Sequence, residues 1–578
     1  MKTKIAIFDL SGCDGCELSF LNFKERLLEL YQDFEIANWR LLQKDTESSF
    51  DIAFVEGGVT NEKEIAEVKK IRSAAKTVVS FGSCAVNGNI FAEFNGGRRR
   101  KEMAIVYGKK YKAISGFFRP IEDFIKVDAK IFGCPPDFNA LEKILKEAKI
   151  AKTDFRNKLP SFSSDYLAKI EGHGVLKINF NEEKASFVVE ESERLVERLV
   201  VGKHYSEVPF IVSRICGICP TAHNLCSILA IENGLGIEVK DDVTLLRRLA
   251  LSNQIIQSHL LHLFFMVLPD FARVESGLEI AGQYPAEFRL MLSIKRASDE
   301  ILTLVGGRPI HPTNTKVGGF IKLPEEESLT VAKEKILESL DEAEDLVKLF
   351  AGFTYLTLNV KEKFMALSDD NGYPLAAEKI VFGKKSFAVL DYHQFLKEEV
   401  VHPSSAKEAF LENSPVRVGA LARLSFSAGK LNPLAKKIFQ NSNISFENPY
   451  HNNFAQAIEI VNFMEESIRI IEILTGVKSM DNFISSEGEE IFSGPNHRRG
   501  VAAIEAPRGV LIHDYLFDQK GIIKSCNIVT PTVINLSSLQ KETQKLLEET
   551  TGLAKEERIK FIKRLIRAYD PCITCAVH

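Results

Sequence analysis

The chain has 578 residues, of which 45% are hydrophobic and 26% charged, with a formal net charge of −4. That length supports two or more domains around a large buried core, and the charge balance excludes a partner recruited by bulk charge, whether nucleic acid or anionic membrane. In chain order, short apolar runs ending in small residues come first: KIAIFDL (Lys4 to Leu10), FDIAFVEGG (Phe50 to Gly58), KTVVSFG (Lys76 to Gly82) and AKIFG (Ala129 to Gly133). Helical patterns such as ELSFLNFKERLLELY and EKEIAEVKKIRSAAK lie between them. This alternation predicts a flavodoxin-like α/β domain with an open parallel sheet over residues 1–150. A polar stretch, 151–165, reads as a linker. From 166 to 578 the texture changes: LAKIEGHGVLKINFNEEKASFVVEES alternates and turns like a hairpin. Helical patterns then dominate, at Thr221–Leu235, Val243–Leu268, Glu327–Phe350, Asn453–Leu474 and Lys555–Arg567. The expectation is a large, mainly α-helical domain with a small β-sheet at its start. Its most apolar long stretch, Ile255 to Pro269, carries Gln257, His259 and His262, so it reads as a buried helix and not a membrane span. MKTKIAIFDL lacks the apolar core of a secretory signal, and a cytoplasmic location is expected.

Ten cysteines in such a chain call for a metal reading before a disulfide one. Six of them form three C-x-x-C pairs. Cys13, Cys16, Cys84 and Cys134 each follow a predicted strand, at the edge where open α/β sheets hold ligands. Four converging thiolates suit zinc or an iron–sulfur cluster, and Gly12, Gly15, Gly82 and Gly133 would let the backbone come close. Cys216 and Cys219 sit in RICGICPTAH, where Pro220 would start a helix, and Cys572 and Cys575 sit in the terminal DPCITCAVH. Neither pair closes a four-thiolate site alone; joined, they would lock a domain from its opposite ends around zinc, nickel or iron. Cys226 and Cys526 fall in no motif and are assigned to packing. NGGRRRK (Asn95 to Lys101) is a glycine-flanked basic loop, either solvated or a docking patch for an acidic electron carrier.

RICGICPTAH and DPCITCAVH resemble the two cysteine signatures of nickel–iron hydrogenase large subunits, and KIEGHG, GGRPIHP and EAPRG resemble further landmarks of that subunit, in the same order. SGCDGCELS, FGSCAVNGN and FGCPPD resemble the hydrogenase small subunit around its proximal 4Fe–4S cluster, in the short form of some cytoplasmic hydrogenases and of a respiratory complex I subunit. The two halves, usually separate polypeptides, stand here in series. The resemblance implies that Cys216, Cys219, Cys572 and Cys575 bind nickel, with Cys219 and Cys575 bridging to an iron that carries carbonyl and cyanide ligands. Cys13, Cys16, Cys84 and Cys134 would hold a single 4Fe–4S cluster. H2 would be split into hydride and proton, with Cys572 the favoured base and Glu171 the proton gate beside it. Arg508 would lie over the site, Asp570 would join its outer shell, and His223 would donate to a bridging sulfur. Ser258 stands where the family carries a further aspartate. His578, with Glu197, would bind magnesium or a similar ion that clamps the tail. Gly15 stands where oxygen-tolerant relatives have an extra cysteine, so an ordinary, oxygen-sensitive cubane is expected. Family precursors often lose an extension after a residue like His578.

The implied activity is reversible H2 oxidation to protons and electrons, which leave through one cubane to a ferredoxin, flavoprotein or diaphorase-type partner, after maturation proteins have installed the metals. The rival readings are an H2 sensor or assembly scaffold of the same fold, a complex I-like structural module, and a plain zinc or iron–sulfur protein. Retention of all four nickel-type cysteines argues against the complex I-like module.

Overall fold

The computed structural model describes residues 2–21, 34–43, 49–150, 165–361, 363–370, 372–476 and 497–578. Residues 151–164 of the expected linker, and 22–31 of the first helical pattern, lie outside the described residues. The first half is a five-stranded parallel sheet built from β1 (Thr3–Asp9), β2 (Phe34–Trp39), β3 (Phe50–Glu56), β4 (Ala75–Phe81) and β5 (Ala129–Ile131), in the order β2-β1-β3-β4-β5. That is the flavodoxin-like order. Four strands coincide with the apolar runs of the sequence; β2, at the sheet's edge, was not among them. Between β3 and β4 runs α1 (Glu62–Ala74), capped by Asn61, whose side chain accepts a hydrogen bond from Glu64 N.

The remainder is rich in helices. These include α2 (Pro220–Leu235), α3 (Asp241–Leu261), α4 (Pro285–Gly306), α5 (Glu326–Ala351), α6 (Asn452–Gly476), α7 (Pro531–Glu549) and α8 (Lys555–Ala568). α6 packs between α3 and α5, and almost every one of its faces is buried. The α3 helix continues to Ala272, a stretch long and apolar enough to cross a membrane, yet 78% of its most apolar window is buried inside the protein.

The sheet content exceeds the expectation of one small sheet at the start. The hairpin Gly174–Asn179/Lys184–Val189 is there, but so are a four-stranded sheet within residues 363–417 and three long antiparallel strands, His497–Ala506, Gly509–Asp518 and Ile523–Val529. Two of these late strands, His497–Ala506 and Gly509–Asp518, pack against α2. NGGRRRK is not a loop either: Gly97–Val106 is helical. Arg99 there is buried, donating to Ser115 and to the Glu193 carbonyl, while Arg98 pairs with Glu93 and Glu102.

One hydrophobic cluster runs without a break from Phe20, Trp39, Phe54 and Phe81 of the first half to Ile215, Leu225 and Phe463 of the second. Edge-on contacts join Phe20 to Trp39 and Phe54. The two halves are therefore packed as one body, and their seam is where both cysteine sets lie.

Candidate metal centre

Two glycine loops meet at the seam. Cys13 and Cys16 follow β1, and Cys216 and Cys219 precede α2, whose first residue is Pro220 as expected. Gly217 N donates to the Cys13 carbonyl at 2.6 Å. A Cβ on Gly217 would stand 2.3 Å from the Gly15 Cα, so only glycine permits this approach.

The second quartet is the tighter. The sulfurs of Cys216, Cys219, Cys572 and Cys575 all lie within 4.8 Å of one another and all four side chains are buried. They pair across the chain ends, Cys216 with Cys572 at 3.2 Å and Cys219 with Cys575 at 3.2 Å, and none forms a disulfide. Burial, then contact with neighbouring sulfurs, pushes the Cys572 and Cys575 thiols well above their ordinary range. Four thiolates so placed need a bound cation, so the donor set fits a soft transition metal.

Buried charge frames this quartet. Arg508 donates from Nε to the Asp570 carbonyl at 2.7 Å and from Nη2 to Asp570 Oδ1 at 2.8 Å. Its Nη1 is buried without a protein partner; against burial, the Asp570 charge and then Cys572, Cys216 and Cys219 hold its pKa well above the ordinary range. Gln456 Nε2 steadies the other Asp570 oxygen at 3.1 Å. Glu171 is fully buried: it accepts from Thr574 N at 3.0 Å and from the Thr574 hydroxyl, and its Oε1 stands 3.9 Å from Cys216 Sγ. The thiol that faces Glu171 is thus that of Cys216; Cys572 is tied to it through a backbone bridge and Ile573 N. Burial first, then the Cys216 charge, lifts the Glu171 carboxyl to about 7. His223 Nε2 lies 3.5 Å from Cys575 Sγ, and burial lowers the ring to about 3, so the imidazole is neutral. Ser258, on α3, lines a small cavity with Gly217 and Ile218, and its hydroxyl has no protein partner.

Several positioning residues escaped the motif reading. Arg194 donates to the Ile215 carbonyl at 2.7 Å and the Thr574 carbonyl at 2.6 Å, stitching the two cysteine loops together. Arg423 is held by Glu459 at 2.6 Å and donates to Glu505 and to the carbonyls of Ala506 and Pro507, so it fixes the EAPRG turn that aims Arg508. His513 lies 3.2 Å behind His223, backed in turn by Tyr515. An isolated arginine or histidine gives no spacing to read; the only signal would have been a charged residue inside an apolar run, as in GALARLSF.

At the tail, His578 Nδ1 lies 2.8 Å from the Cys575 carbonyl, which leaves Nε2 buried, without a partner, 3.8 Å from Glu197 Oε1. Glu398 and Lys407 stand close by, and against burial the Lys407 charge holds Glu197 down to about 2. An unpartnered imidazole nitrogen facing a carboxylate fits a divalent cation with waters. Cys226 donates to the carbonyls of Ala502 and Leu511, and Cys526 lies on the strand Ile523–Val529; both pack.

The first quartet is looser. Cys13, Cys16, Cys84 and Cys134 face one another at the carboxyl ends of β1, β4 and β5. Yet they are not among the sets of donors within 4.8 Å of one another found among the described residues. A single zinc at about 2.3 Å from each sulfur would draw them closer than that, so the spacing fits a cluster better than one ion. His311 Nε2 lies 3.5 Å from Cys13 Sγ and Asn89 Nδ2 lies 3.7 Å from Cys84 Sγ, polar contacts suited to cluster sulfur. A Cβ on Gly82, which has φ of 89°, would fall 2.3 Å from Cys16 Sγ.

Comparison with known proteins follows the same division. Residues 13–148 match the family model "NADH ubiquinone oxidoreductase, 20 Kd subunit", and residues 194–289 and 388–578 match "Nickel-dependent hydrogenase". The chain is 31% identical over 431 residues to the sulfhydrogenase 1 alpha subunit of Pyrococcus furiosus, covering 72% of this chain and 97% of that one. It is 34% identical over 424 residues to the sulfhydrogenase 2 alpha subunit of the same organism, covering 72% and 98%. The crystal structure of an NAD+-reducing [NiFe]-hydrogenase in the H2-reduced state aligns with a TM-score of 0.63 at 24% identity, over 72% of this chain and 98% of that one. With a small-subunit-like half and a large-subunit half joined in one polypeptide, this protein belongs to the nickel-dependent hydrogenase family.

Proposed function

We propose that the protein catalyses the reversible heterolytic cleavage of H2, and that the electrons leave through one 4Fe–4S cluster. The observation that carries this reading is the buried meeting of Cys216 and Cys219 with Cys572 and Cys575, with an unpartnered guanidinium nitrogen of Arg508 and the Glu171 carboxyl beside them. The four thiolates would hold nickel, with Cys219 and Cys575 shared with an iron bearing carbonyl and cyanide. When bound, this pair supplies the Lewis acidity that polarises H2.

The chain's own groups do the rest. Cys572 Sγ takes the proton, being a thiolate with lone pairs to spare. Cys216 Sγ, 3.2 Å from Cys572 Sγ and 3.9 Å from Glu171 Oε1, bridges that sulfur to Glu171, whose buried carboxyl is raised to about 7 and passes the proton outward. Arg508 is kept in place by Asp570 and presents a fixed donor toward the reacting position. His223, neutral and buried, orients Cys575. Cys13, Cys16, Cys84 and Cys134 would hold the cubane, and the Gly15–Gly217 contact brings their loop against the nickel-type loop. Glu197 and His578 would hold a magnesium-like ion that pins the tail.

In this reading residues 1–150 and 166–578 are the two functional domains, joined by 151–165. The protein works in the cytoplasm with an electron-carrier partner and depends on maturation proteins. The test is viologen reduction by purified holoprotein under H2, with nickel counted per chain and infrared bands of metal-bound carbonyl and cyanide sought. Zinc in place of nickel, or trivial turnover with nickel bound, overturns the proposal.

A further inference from the structure

The first cysteine quartet reaches the surface on one side, and the rim there has a distinct character. Cys216, Cys219, Cys572 and Cys575 are all buried, but Cys16 and Cys134 are only half-buried. The strand that leads to Cys134 ends at Ile131; the next residue, Phe132, is a large apolar side chain that is 57% exposed, and Phe138 beyond it is exposed as well. The histidine that touches Cys13 is held by one guanidinium, that of Arg308, and its ring meets the backbone next to a second arginine, Arg214. Arg308 Nε donates to the His311 carbonyl at 2.5 Å, and His311 Nδ1 lies 2.9 Å from the carbonyl of Ser213, the residue before Arg214. Arg308 lies within electrostatic reach of both Arg214 and the cluster ligand Cys134. Neither arginine has a carboxylate partner among the described residues; Arg214 spends a donor on the Phe210 carbonyl. Asp137, in the Gly133–Phe138 loop, accepts a hydrogen bond from Asn139 N at 3.0 Å and keeps its negative charge, which the two arginines outnumber. In the run Asn95–Lys101, Arg98 is paired and Arg99 is buried, which leaves Arg100 and Lys101 as the other exposed cations there.

We propose that the face formed by Phe132, Arg214 and Arg308 around the cubane edge is the docking surface for an acidic electron-carrier protein. Unpaired cations on a chain of net charge −4 form a local positive spot that steers an acidic partner, and Phe132 supplies the apolar contact at its centre. The proposal rests on the H2-oxidising reading above and places its electron exit.

The test follows electron delivery from H2 by the holoprotein to a two-cluster ferredoxin, which is acidic, to a basic c-type cytochrome, and to a small viologen. Wild-type protein should prefer the ferredoxin, with a KM that rises steeply with salt. Arg308→Glu and Arg214→Glu should each raise the ferredoxin KM roughly tenfold or more and flatten its salt dependence, while the viologen rate stays at the wild-type level. Phe132→Ser should raise the KM without changing the salt slope. An unchanged ferredoxin KM in all three variants, or a wild-type preference for the basic cytochrome, overturns the proposal. If the arginine variants also lose the viologen rate, the Phe132→Ser result decides it. A wild-type protein that fails to reduce viologen would instead refute the H2-oxidising reading.

Discussion

The two sulfur quartets solve opposite problems. The nickel-type quartet is drawn from the middle and the extreme end of the chain, is wholly buried, and crowds its four sulfurs within 4.8 Å. The cubane-type quartet is drawn from three strand ends of one sheet, is spread more widely, and reaches the surface at Cys16 and Cys134. Chemistry on a proton and an electron pair wants a dry, fixed cage in which each charge is answered by a neighbour. Handing electrons to another protein wants a pocket near the surface. The Gly15–Gly217 contact is the price of putting both within one seam.

The largest expected effect comes from separating the two sites chemically. Cys572→Ala should abolish H2 oxidation and lower the nickel content, while the cubane keeps its EPR signal; loss of both signals together would show that the quartets do not fold independently. Glu171→Gln should retain nickel and the infrared bands yet slow turnover by about 10²–10⁴-fold, the usual worth of a positioned proton carrier. Turnover within a few-fold of wild type would remove Glu171 from the proton route.

Arg423→Met sharpens the contrast on the stability side. It leaves Glu459 and Glu505 buried without their cation and should cost about 3–5 kcal/mol, read as a lowered denaturation midpoint. Its pH signature is directional. Burial pushes Glu459 up, but the Arg423 charge and hydrogen bond outweigh it and hold the carboxyl at about 2, below its ordinary 4.5. The pair's stabilisation is therefore present above about pH 4.5 and is lost as pH falls toward 2, because the unfolded chain takes up the proton first. The variant should lack that acid-side loss; an unaltered acid profile would contradict the assignment. Gly217→Ala is the mildest and the most local. Its Cβ would press on Gly15 and cost about 1–3 kcal/mol, and reduction of the cubane by H2 should slow more than hydrogen–deuterium exchange at the nickel site, which needs no electron exit. Equal slowing would mean that the contact serves folding alone.

Much of this was legible because cysteine spacing and apolar runs are local signals. Strands β1, β3, β4 and β5 and five of the helices fall within a residue or two of their patterns, since a buried face writes its period into the sequence. β2 was missed because a short edge strand beside a helical pattern has little room to show alternation. The late antiparallel strands were missed because what they pack against, α2 for two of them, lies far away in sequence. NGGRRRK read as a basic loop, solvated or a docking patch, but a charge run says nothing about which carboxylates or carbonyls will meet Arg98 and Arg99. The tail residues Glu197 and His578 do come together, and the company of Glu398 and Lys407 could not have been foreseen.

By itself the sequence determined which atoms could bind metal: eight cysteines in fixed local settings, each placed by a turn, a strand end or a helix start. Only the tertiary structure decided how they are shared out. It brought residues 356 positions apart to 3.2 Å, and it turned Arg194, Arg423 and Arg508 inward to fasten the loops. The reason is that ligand identity is covalent and local, whereas proximity and desolvation arise when distant segments bury one another's surfaces.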